Sequence, residues 1–301
     1  MYRVHIPASS GNMCVGFDST GLALQIYNSI DFEARKSGLV IEMDTPAPFI
    51  PTDGRNLIVR AAKRAADRMG KRLPGLYLKQ YNRIPHTRGL GSSAACIVGG
   101  ILLADTLLGA GWSREQVLSL ASEMEGHPDN VTPALLGGLK AALVEQDCLL
   151  TADFSVSERL RFAALVPDFE LETHRARQAL PDTIPHAQAA GALGKLAFLL
   201  KGLETADSAL LEAAMNEPLH EPYRIPLIPE YEEVRQLCVN QGAAAVMISG
   251  SGPTLLALFL DTLPEAALTL KLKSLNHHWQ LLPCRVQHEG TRIEMKEEPH
   301  E

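Results

Sequence analysis

The chain has 301 residues, of which 46% are hydrophobic, and its formal net charge is −7. This length predicts about two domains, and the negative charge argues against nucleic acid or an anionic membrane as the partner. No apolar run of about 18 residues and no signal peptide is recognisable, so we expect a cytoplasmic protein. The five cysteines are widely spaced and odd in number, which favours free thiols.

The first half of the chain alternates apolar strands with helices, which predicts a mixed α and β layer. We expect strands in YRVHIP, ALQIYNSIDFEA and GLYLKQYNRIP, and a hairpin in GGLKAALVEQDCLLTADF. We expect helices in NLIVRAAKRAADRMG, CIVGGILLADTLLG and SREQVLSLASEMEG. The last of these begins with a Ser and has a Gln three residues on, which is the pattern of a capping box.

The second half begins with the strand FAALVPDFELET, and we place the domain boundary close to Ser157. Two amphipathic helices follow, in AQAAGALGKLAFLLKGL and ADSALLEAAM. A glycine turn separates two apolar runs in AAAVMISGSGPTLLALFL, and the helix LPEAALTLKLKSL and the strand QLLPCRVQ come after it. We expect the terminal segment RIEMKEEPHE to be too polar to pack.

A glycine-serine turn, PHTRGLGSSAA at residues 85–95, lies between an apolar strand and a helix. Gly89 and Gly91 allow positive φ and a close backbone approach, and the start of the helix offers free N–H groups to an anion. Ser92 and Ser93 either cap the helix or reach a phosphate or its magnesium ion. The lysine of a Walker A loop is missing. The strand and acidic residue of a dinucleotide fold are missing as well.

Two further clusters contain polar residues that suit a ligand site. Asn12 and Asp18 lie in the otherwise uncharged loop IPASSGNMCVGFD, where they either contact a ligand or form an Asx turn. The segment ASEMEGHPDNVTPALLGG combines acidic, amide and histidine side chains just after a helix, which favours a site over a solvated helix end. A zinc site is not expected there, because the His-Glu-x-x-His pattern is absent.

Two separated arginines, Arg177 in ETHRARQALP and Arg224 in EPYRIPLIP, could recognise a carboxylate in a bidentate manner. The alternative is that each is solvated or ion-paired. The glycines of ISGSGPT, residues 248–254, allow a close backbone approach, but an ordinary tight turn would explain them too.

Taken together, these motifs resemble the GHMP kinases, the superfamily of galactokinase, homoserine kinase, mevalonate kinase and phosphomevalonate kinase. PHTRGLGSSAA resembles their central motif, IPASSGNMCVGFDSTGLAL the first and VMISGSGPTLLAL the third. The resemblance implies an α+β, two-domain GHMP kinase fold. Residues 1–157 would form a mixed α/β ATP-binding domain with the phosphate loop, and residues 158–301 a ferredoxin-like α+β domain.

Within the superfamily, EGHPDNVTPALLGG, THRARQALP and EPYR are similar to the homoserine kinase family in particular. This implies ATP-dependent phosphorylation of L-homoserine to O-phospho-L-homoserine, on the route to threonine, by a homodimer that needs Mg²⁺. The first motif differs from the usual family pattern at Gly11 and at residues 13–15, whereas Asn12 and Asp18 keep their spacing. Another small-molecule kinase of the superfamily and a non-catalytic nucleotide-binding protein are the alternatives.

The resemblance also implies roles for individual residues. The residues expected to bind ATP are Asn56, Pro85, Arg88, Gly89, Leu90, Gly91, Ser92, Ser93, Ala94 and Ala95. The residues expected to bind homoserine are Asn12, Asp18, His127, Arg177 and Arg224. Ser92 and Glu123 would hold magnesium, with Glu125 as the alternative carboxylate. Asn130 would lie near the acceptor oxygen, and Asp18 and Asp129 are the carboxylates considered for a base, although direct in-line transfer is the preferred mechanism.

Overall fold

A computed structural model describes residues 1–146 and 148–296 of the chain. Its strands are β1 Tyr2–Gly11, β2 Thr20–Arg35, β3 Leu39–Met43, β4 Gly75–Tyr81, β5 Leu139–Glu145, β6 Cys148–Phe154, β7 Leu160–Pro167, β8 Ala245–Ile248, β9 Leu255–Leu260, β10 Trp279–Cys284 and β11 Arg292–Met295. Its helices are α1 Leu57–Arg68, α2 Ser92–Leu108, α3 Arg114–Glu125, α4 Pro128–Leu136, α5 Thr173–Gln178, α6 His186–Thr205, α7 Ser208–Ala214, α8 Glu221–Arg224, α9 Tyr231–Asn240 and α10 Glu265–Leu272.

The first sheet has the strand order β11-β1-β2-β4-β3, and the hairpin β5-β6 is attached to it through β2. Because β2 is 16 residues long, its first part pairs with β5 and its second part with β4. Helices α2 and α4 pack on this sheet, and α1 and α3 pack against these two helices. Ala61 and Ala65 of α1 and Val98 of α2 belong to the resulting core. The start of α2 and the start of α4 both come to lie near the end of β1, which positions the candidate site.

The second sheet is antiparallel, with the order β10-β7-β9-β8. One face packs against α9 and α10 through residues such as Leu165 and Phe259. Its other face, with Phe162 and Leu256, joins the core that includes Leu203 of α6 and Leu211 of α7. Burial on both faces explains why β8 and β9 are unbroken apolar runs in the sequence. The two sheets with their helices confirm the expected α+β, two-domain fold.

Most predicted elements are confirmed, including the β5-β6 hairpin and the capping box of α3. In that box, the Ser113 side chain accepts the N–H of Gln116, and the Gln116 side chain accepts the N–H of Ser113. All five cysteines are free. None of the helices within residues 1–146 and 148–296 is long and apolar enough to span a membrane.

The expectation that the C-terminal segment is too polar to pack is wrong for residues 292–295. These residues form β11, which pairs antiparallel with β1. An edge strand needs backbone partners rather than a buried face, so four exposed residues suffice. Side-chain bonds add to the pairing, since His5 donates to Glu294 and Lys296 donates to Asp31. Residues 297–301 of the same segment lie outside the described residues, and the boundary at Ser157 stays a prediction.

Candidate active site

The glycine-serine loop ends at the first turn of α2, and its backbone is shaped by two left-handed glycines. Gly89 has φ +73° and Gly91 has φ +70°. Gly91 is the N-cap of α2 and makes no side-chain cap, so neither serine caps the helix as considered from the sequence. The N–H groups of the first turn therefore remain available to an anion at the positive end of a 17-residue helix.

The first and third glycine motifs hold this loop in place. Ser249 donates its hydroxyl hydrogen bond to the carbonyl of Gly89 at 2.7 Å. Gly250 donates its N–H to the carbonyl of Gly11, and Asn12 donates its side-chain amide to the carbonyl of Gly250 at 2.7 Å. Three segments that are distant in sequence thus meet at one point.

The cleft at this point has a volume of about 120 Å³, and most of the residues that line it are polar or charged. Sequence-predicted residues that line it are Asn12, Asp18, Arg88, Gly89, Gly91, Ser92, Ser93, His127, Asp129, Asn130, Arg177 and Arg224. Leu90, Ala94 and Ala95 are buried beside it, so only their backbone is suited to a ligand. The Arg88 side chain donates to the carbonyls of Pro167 and Asp168, which ties the loop to the end of β7.

Arg177 and Asp18 form a bidentate ion pair on the wall of the cleft opposite the phosphate loop. Both guanidinium N–H groups reach a carboxylate oxygen at 2.8 Å. Burial by itself would raise the pKa of Asp18, but the bonds to Arg177 outweigh it, and the pKa lies below its usual value. Asp18 is therefore ionised at neutral pH.

Arg224 lies beneath this pair and is only 1% exposed. It donates to the carbonyl of Gly250 at 3.0 Å. Burial, and after it the charge of Arg177, lowers the pKa of Arg224 to about 10. The side chain still carries its positive charge at neutral pH, so the guanidinium groups of both Arg177 and Arg224 lie on this wall of the cleft.

His127 and Asp129 begin α4 and close one end of the cleft. His127 Nδ1 lies 2.6 Å from one oxygen of Asp129, and the other oxygen accepts the N–H of Asn12 at 3.0 Å. Although burial lowers the pKa of His127, the bond to Asp129 outweighs it and raises that pKa above the usual value. Asn130 is oriented by the Ser9 hydroxyl, which donates to its side-chain oxygen at 3.0 Å.

Asp18, His127 and Asp129 also offer ligand atoms within 4.8 Å of one another. Metal coordination would compete with the bonds that Asp18 makes to Arg177 and that Asp129 makes to His127 and Asn12. Cationic groups and N–H donors already surround these carboxylates, so the cluster suits a zwitterionic ligand better than a metal ion.

The structure places Glu123 outside the cleft, which corrects its expected role as the magnesium ligand. Its carboxylate is 45% exposed and pairs with Arg64 and Arg68 of α1. Glu125 instead accepts a hydrogen bond from Ser93 Oγ at 2.8 Å and lines the cleft. Burial raises the pKa of Glu125. Residues two apart on a helix point about 200° from each other, so only one of the two glutamates can face the phosphate loop.

A second, more apolar cavity of about 420 Å³ adjoins the polar cleft and shares His86, Ser92 and Ser93 with it. Pro85 lines this cavity, as does Asn56. The oxygen and the nitrogen of the Asn56 side chain are both hydrogen-bonded, since the oxygen accepts the Ile58 N–H and the nitrogen donates to the Pro51 carbonyl. Asn56 thus caps α1 and fixes the loop that walls the cavity.

The segment 45–51 forms that wall and was not singled out from the sequence. Phe49 is 62% exposed and stacks on His86 at 5.1 Å between ring centroids. An aromatic residue among prolines in TPAPFIP was the available signal. A mostly apolar cavity of this size beside an anion site is typical of a place for a planar base.

Comparisons with known proteins agree with this geometry. Residues 56–138 match the family model of the GHMP kinases N terminal domain, and residues 199–276 match that of the GHMP kinases C terminal. A homoserine kinase of Caldicellulosiruptor saccharolyticus is 40% identical over 300 residues, covering 97% of this chain and 96% of its own. One of Caldicellulosiruptor bescii is 43% identical over 258 residues, covering 86% and 84%.

A solved structure shows the same likeness. The crystal structure of homoserine kinase from Cytophaga hutchinsonii has a TM-score of 0.86 at 28% identity and covers 97% of this chain and 96% of that one. The chain therefore belongs to the GHMP kinases, whose fold and phosphate loop it has. Within them it belongs to the homoserine kinase family, as its motifs predicted.

Proposed function

We propose that the protein transfers the γ-phosphoryl group of ATP to the side-chain hydroxyl of L-homoserine, forming O-phospho-L-homoserine and ADP. One observation carries this proposal above the others. A single cleft is lined on one wall by the phosphate loop and on the other by Arg177, Arg224 and Asp18. A donor of phosphoryl groups and an amino-acid acceptor would thus face each other across it. The cytoplasmic location and the homodimer stay predictions.

The acceptor wall matches the charges of an amino acid. Arg177 and Arg224 suit the α-carboxylate, because a guanidinium fork bonds a carboxylate with two parallel N–H groups. Asp18 suits the ammonium group. The internal pair of Asp18 with Arg177 already has the geometry of these contacts, and the two charges of homoserine would each take over one half of it.

Magnesium is the metal that this reaction class uses with ATP, and the donor set fits it. Ser92, Ser93 and Glu125 offer oxygen atoms beside the phosphate loop, and oxygen ligands are what Mg²⁺ prefers. We propose Ser92 and Glu125 as the residues that hold it. When bound with ATP, the ion would neutralise charge on the phosphates, and the backbone N–H groups from Arg88 to Ser93, at the start of α2, would orient them.

The proposed transfer is direct and in line. The homoserine oxygen forms its bond to the γ-phosphorus while the bond from that phosphorus to the β,γ-bridging oxygen breaks, and the hydroxyl proton leaves to the transferred phosphate. Neither carboxylate is free to act as a strong base. Asp18 is paired with Arg177, and with the ammonium group once homoserine is bound, and both oxygens of Asp129 are occupied. Positioning and charge neutralisation supply the rate enhancement instead.

A base mechanism makes a different prediction for Asp18. If Asp18→Asn abolished turnover with an unchanged affinity for homoserine, and the wild type showed a matching pH titration, direct transfer would be wrong. We expect instead that Asp18→Asn weakens homoserine binding, because the variant loses the negative charge that faces the ammonium group.

The main alternative is another small-molecule kinase of the superfamily, acting on mevalonate or a sugar. Asp18 argues against it, since neither of those acceptors has an ammonium group. The test is a coupled ADP assay with Mg²⁺ across L-homoserine, L-threonine, L-serine, mevalonate and galactose. We expect L-homoserine to have the highest kcat/KM. A better acceptor among the others would reject the assignment, and ATP binding without turnover would indicate a non-catalytic protein.

A further inference from the structure

A buried polar cluster lies under the acceptor wall, on the segment 217–224. Glu217, His220, Glu221 and Arg224 are each at most 4% exposed. Of the four, Arg224 lines the cleft. Both glutamates are occupied by backbone N–H groups, Glu217 by Leu219, His220 and Glu221, and Glu221 by Ile248. His220 differs from them, because both of its ring nitrogens bond to parts of the acceptor site.

One ring nitrogen of His220 holds the acceptor loop. Nε2 lies 2.7 Å from the carbonyl oxygen of Cys14. A carbonyl oxygen can only accept, so Nε2 must carry the proton. Cys14 belongs to a run of three non-glycine residues with positive φ, at 63°, 35° and 59° for residues 12–14. Such backbone persists only where surrounding contacts hold it.

The other ring nitrogen holds Arg224. With the proton on Nε2, Nδ1 keeps its lone pair, and Arg224 Nη1 donates to it at 3.3 Å. Burial, followed by the charge of Arg224, lowers the pKa of His220 to about 3. The ring is therefore neutral at physiological pH and can accept from the guanidinium group while it donates to the loop.

Phe17 lies close to His220 and to both arginines. Its ring centroid lies 5.5 Å from that of His220. The guanidinium carbons of Arg224 and Arg177 lie 5.3 and 5.6 Å from the same ring, within the range of cation–π attraction. Attraction of both guanidinium groups to this ring partly offsets the repulsion between them when they bind one substrate carboxylate.

We propose that His220 is a positioning residue that sets Arg224 at its working distance from the Asn12–Asp18 loop. The imidazole bridges the two sides of the acceptor site, so its loss would let them shift independently. This role assumes the homoserine kinase activity proposed above. It predicts a change in the KM for homoserine, whereas the KM for ATP stays the same, because the phosphate loop has its own supports in Ser249 and Arg88.

Three variants separate the two bonds of the ring. Asn places an acceptor at the position of Nδ1, so His220→Asn keeps the partner of Arg224 and loses the bond to Cys14. Gln places a donor at the position of Nε2, so His220→Gln does the reverse. His220→Leu loses both. We expect the homoserine KM to rise about 10-fold in each amide variant and about 100-fold in the Leu variant, as for lost hydrogen bonds to charged or strained groups.

A matched control distinguishes positioning from stability. Trp279 is 4% exposed and donates to Glu230 at 3.0 Å, away from the cleft. Trp279→Phe should lower Tm and leave both KM values unchanged. A folded His220→Leu variant whose homoserine KM is within twofold of the wild type would overturn the role, as would a parallel rise in the ATP KM. If the Leu variant does not fold, the two amide variants decide by the same criteria.

The wild-type protein offers an independent readout. Imidazole nitrogen NMR at pH 7 should find His220 as the neutral Nε2–H tautomer, and an Nδ1–H tautomer or an imidazolium would overturn the role. A wild type without homoserine-dependent ADP formation would overturn the proposed function. An active wild type with unaffected His220 variants would overturn the positioning role alone.

Discussion

The nucleotide side and the acceptor side of the cleft are built in different ways. On the nucleotide side, one contiguous stretch, residues 85–93, presents backbone N–H groups beside an apolar cavity. On the acceptor side, charged side chains come from loops and helices far apart in sequence, and each is bonded to another side chain or to a backbone carbonyl of the site. A site built from backbone N–H groups tolerates side-chain substitutions as long as the backbone keeps its conformation. A site built from charged side chains depends on each of those side chains and on the groups that hold it. Variants on the two sides should therefore fail differently.

The largest effect is expected on the nucleotide side, from Gly89→Ala. An added Cβ would lie 2.3 Å from the backbone oxygen of Ser249, and φ there is +73°. The loop must move, and a displacement of about 1 Å can lower the rate about 100-fold. We expect at least this loss in kcat/KM in the ADP assay.

Gly109→Ala is the matched control for that change. Gly109 also has positive φ, at +56°, but an added Cβ meets nothing within 4 Å. Gly109→Ala should lower the free energy of unfolding by about 1 kcal/mol, because alanine disfavours the left-handed backbone conformation. The kinetics should stay unchanged. Equal activity in the two variants would show that the shape of the Gly89 turn does not matter.

The next effect tests the carboxylate at the border of the two sides. Glu125→Gln should lower magnesium affinity or activity by about 10- to 100-fold, because Glu125 lies beside Ser93. Glu123→Gln, on the same helix, should change activity by less than about twofold. Loss of its exposed pairs with Arg64 and Arg68 should cost at most about 1 kcal/mol. A magnesium titration of both variants measures these effects. A larger loss in Glu123→Gln than in Glu125→Gln would assign the magnesium ligand to Glu123 instead.

On the acceptor side, Arg177→Lys should raise the KM for homoserine about 10-fold with an unchanged KM for ATP. Lysine keeps the charge but cannot form the two parallel bonds that Arg177 makes. Arg175→Lys, at an exposed position two residues earlier on α5, is the control and should behave as the wild type. A rise in the ATP KM in the Arg177 variant would mean that the two sides are not separate.

The smallest effect is on the free energy of unfolding, whose pH dependence should have opposite signs for His127 on the acceptor side and His86 on the nucleotide side. The bond to Asp129 raises the pKa of His127 above 6.5 in spite of burial, so its contribution is complete below pH 6.5 and is lost as pH rises through the folded-state pKa. Burial lowers the pKa of His86, so the wild type loses stability as pH falls below 6.5. His127→Gln should therefore destabilise by about 1 kcal/mol more at pH 5.5 than at pH 9.

His86→Gln should do the reverse and gain stability relative to the wild type at pH 5.5. Denaturant unfolding at the two pH values measures both variants. The same sign for both histidines would contradict the assigned environments.

On the nucleotide side, the phosphate loop could be predicted because its information is local, whereas the cavity wall at residues 45–51 was not predicted. The spacing of Gly89 and Gly91 before an apolar helical run specifies a turn and a helix start within a few residues. Helices α1, α2, α3, α6, α7 and α10 and the β5-β6 hairpin were predicted for the same reason, since their periodicity and turn residues are contiguous. Helices α4, α5, α8 and α9 were not predicted.

The acceptor side depended on long-range packing. From the sequence, Glu123 and Glu125 both end one helix, and only the contact of α3 with α1 and α2 decides which of them faces the loop. The burial of Arg224 and its bond to His220 depend on the approach of residues 12–18, about 200 positions away. The pairing of β11 with β1 likewise needs an open strand edge that the polar segment itself does not reveal.

Residue types and their local spacing thus established the class of fold, the phosphate loop and the chemical groups of the acceptor site. Tertiary structure chose among these groups: which glutamate turns inward, which arginine is buried, and which carboxylate is already paired. The physical reason is that backbone conformation is set by neighbours along the chain, whereas desolvation and ion pairing are set by neighbours in space.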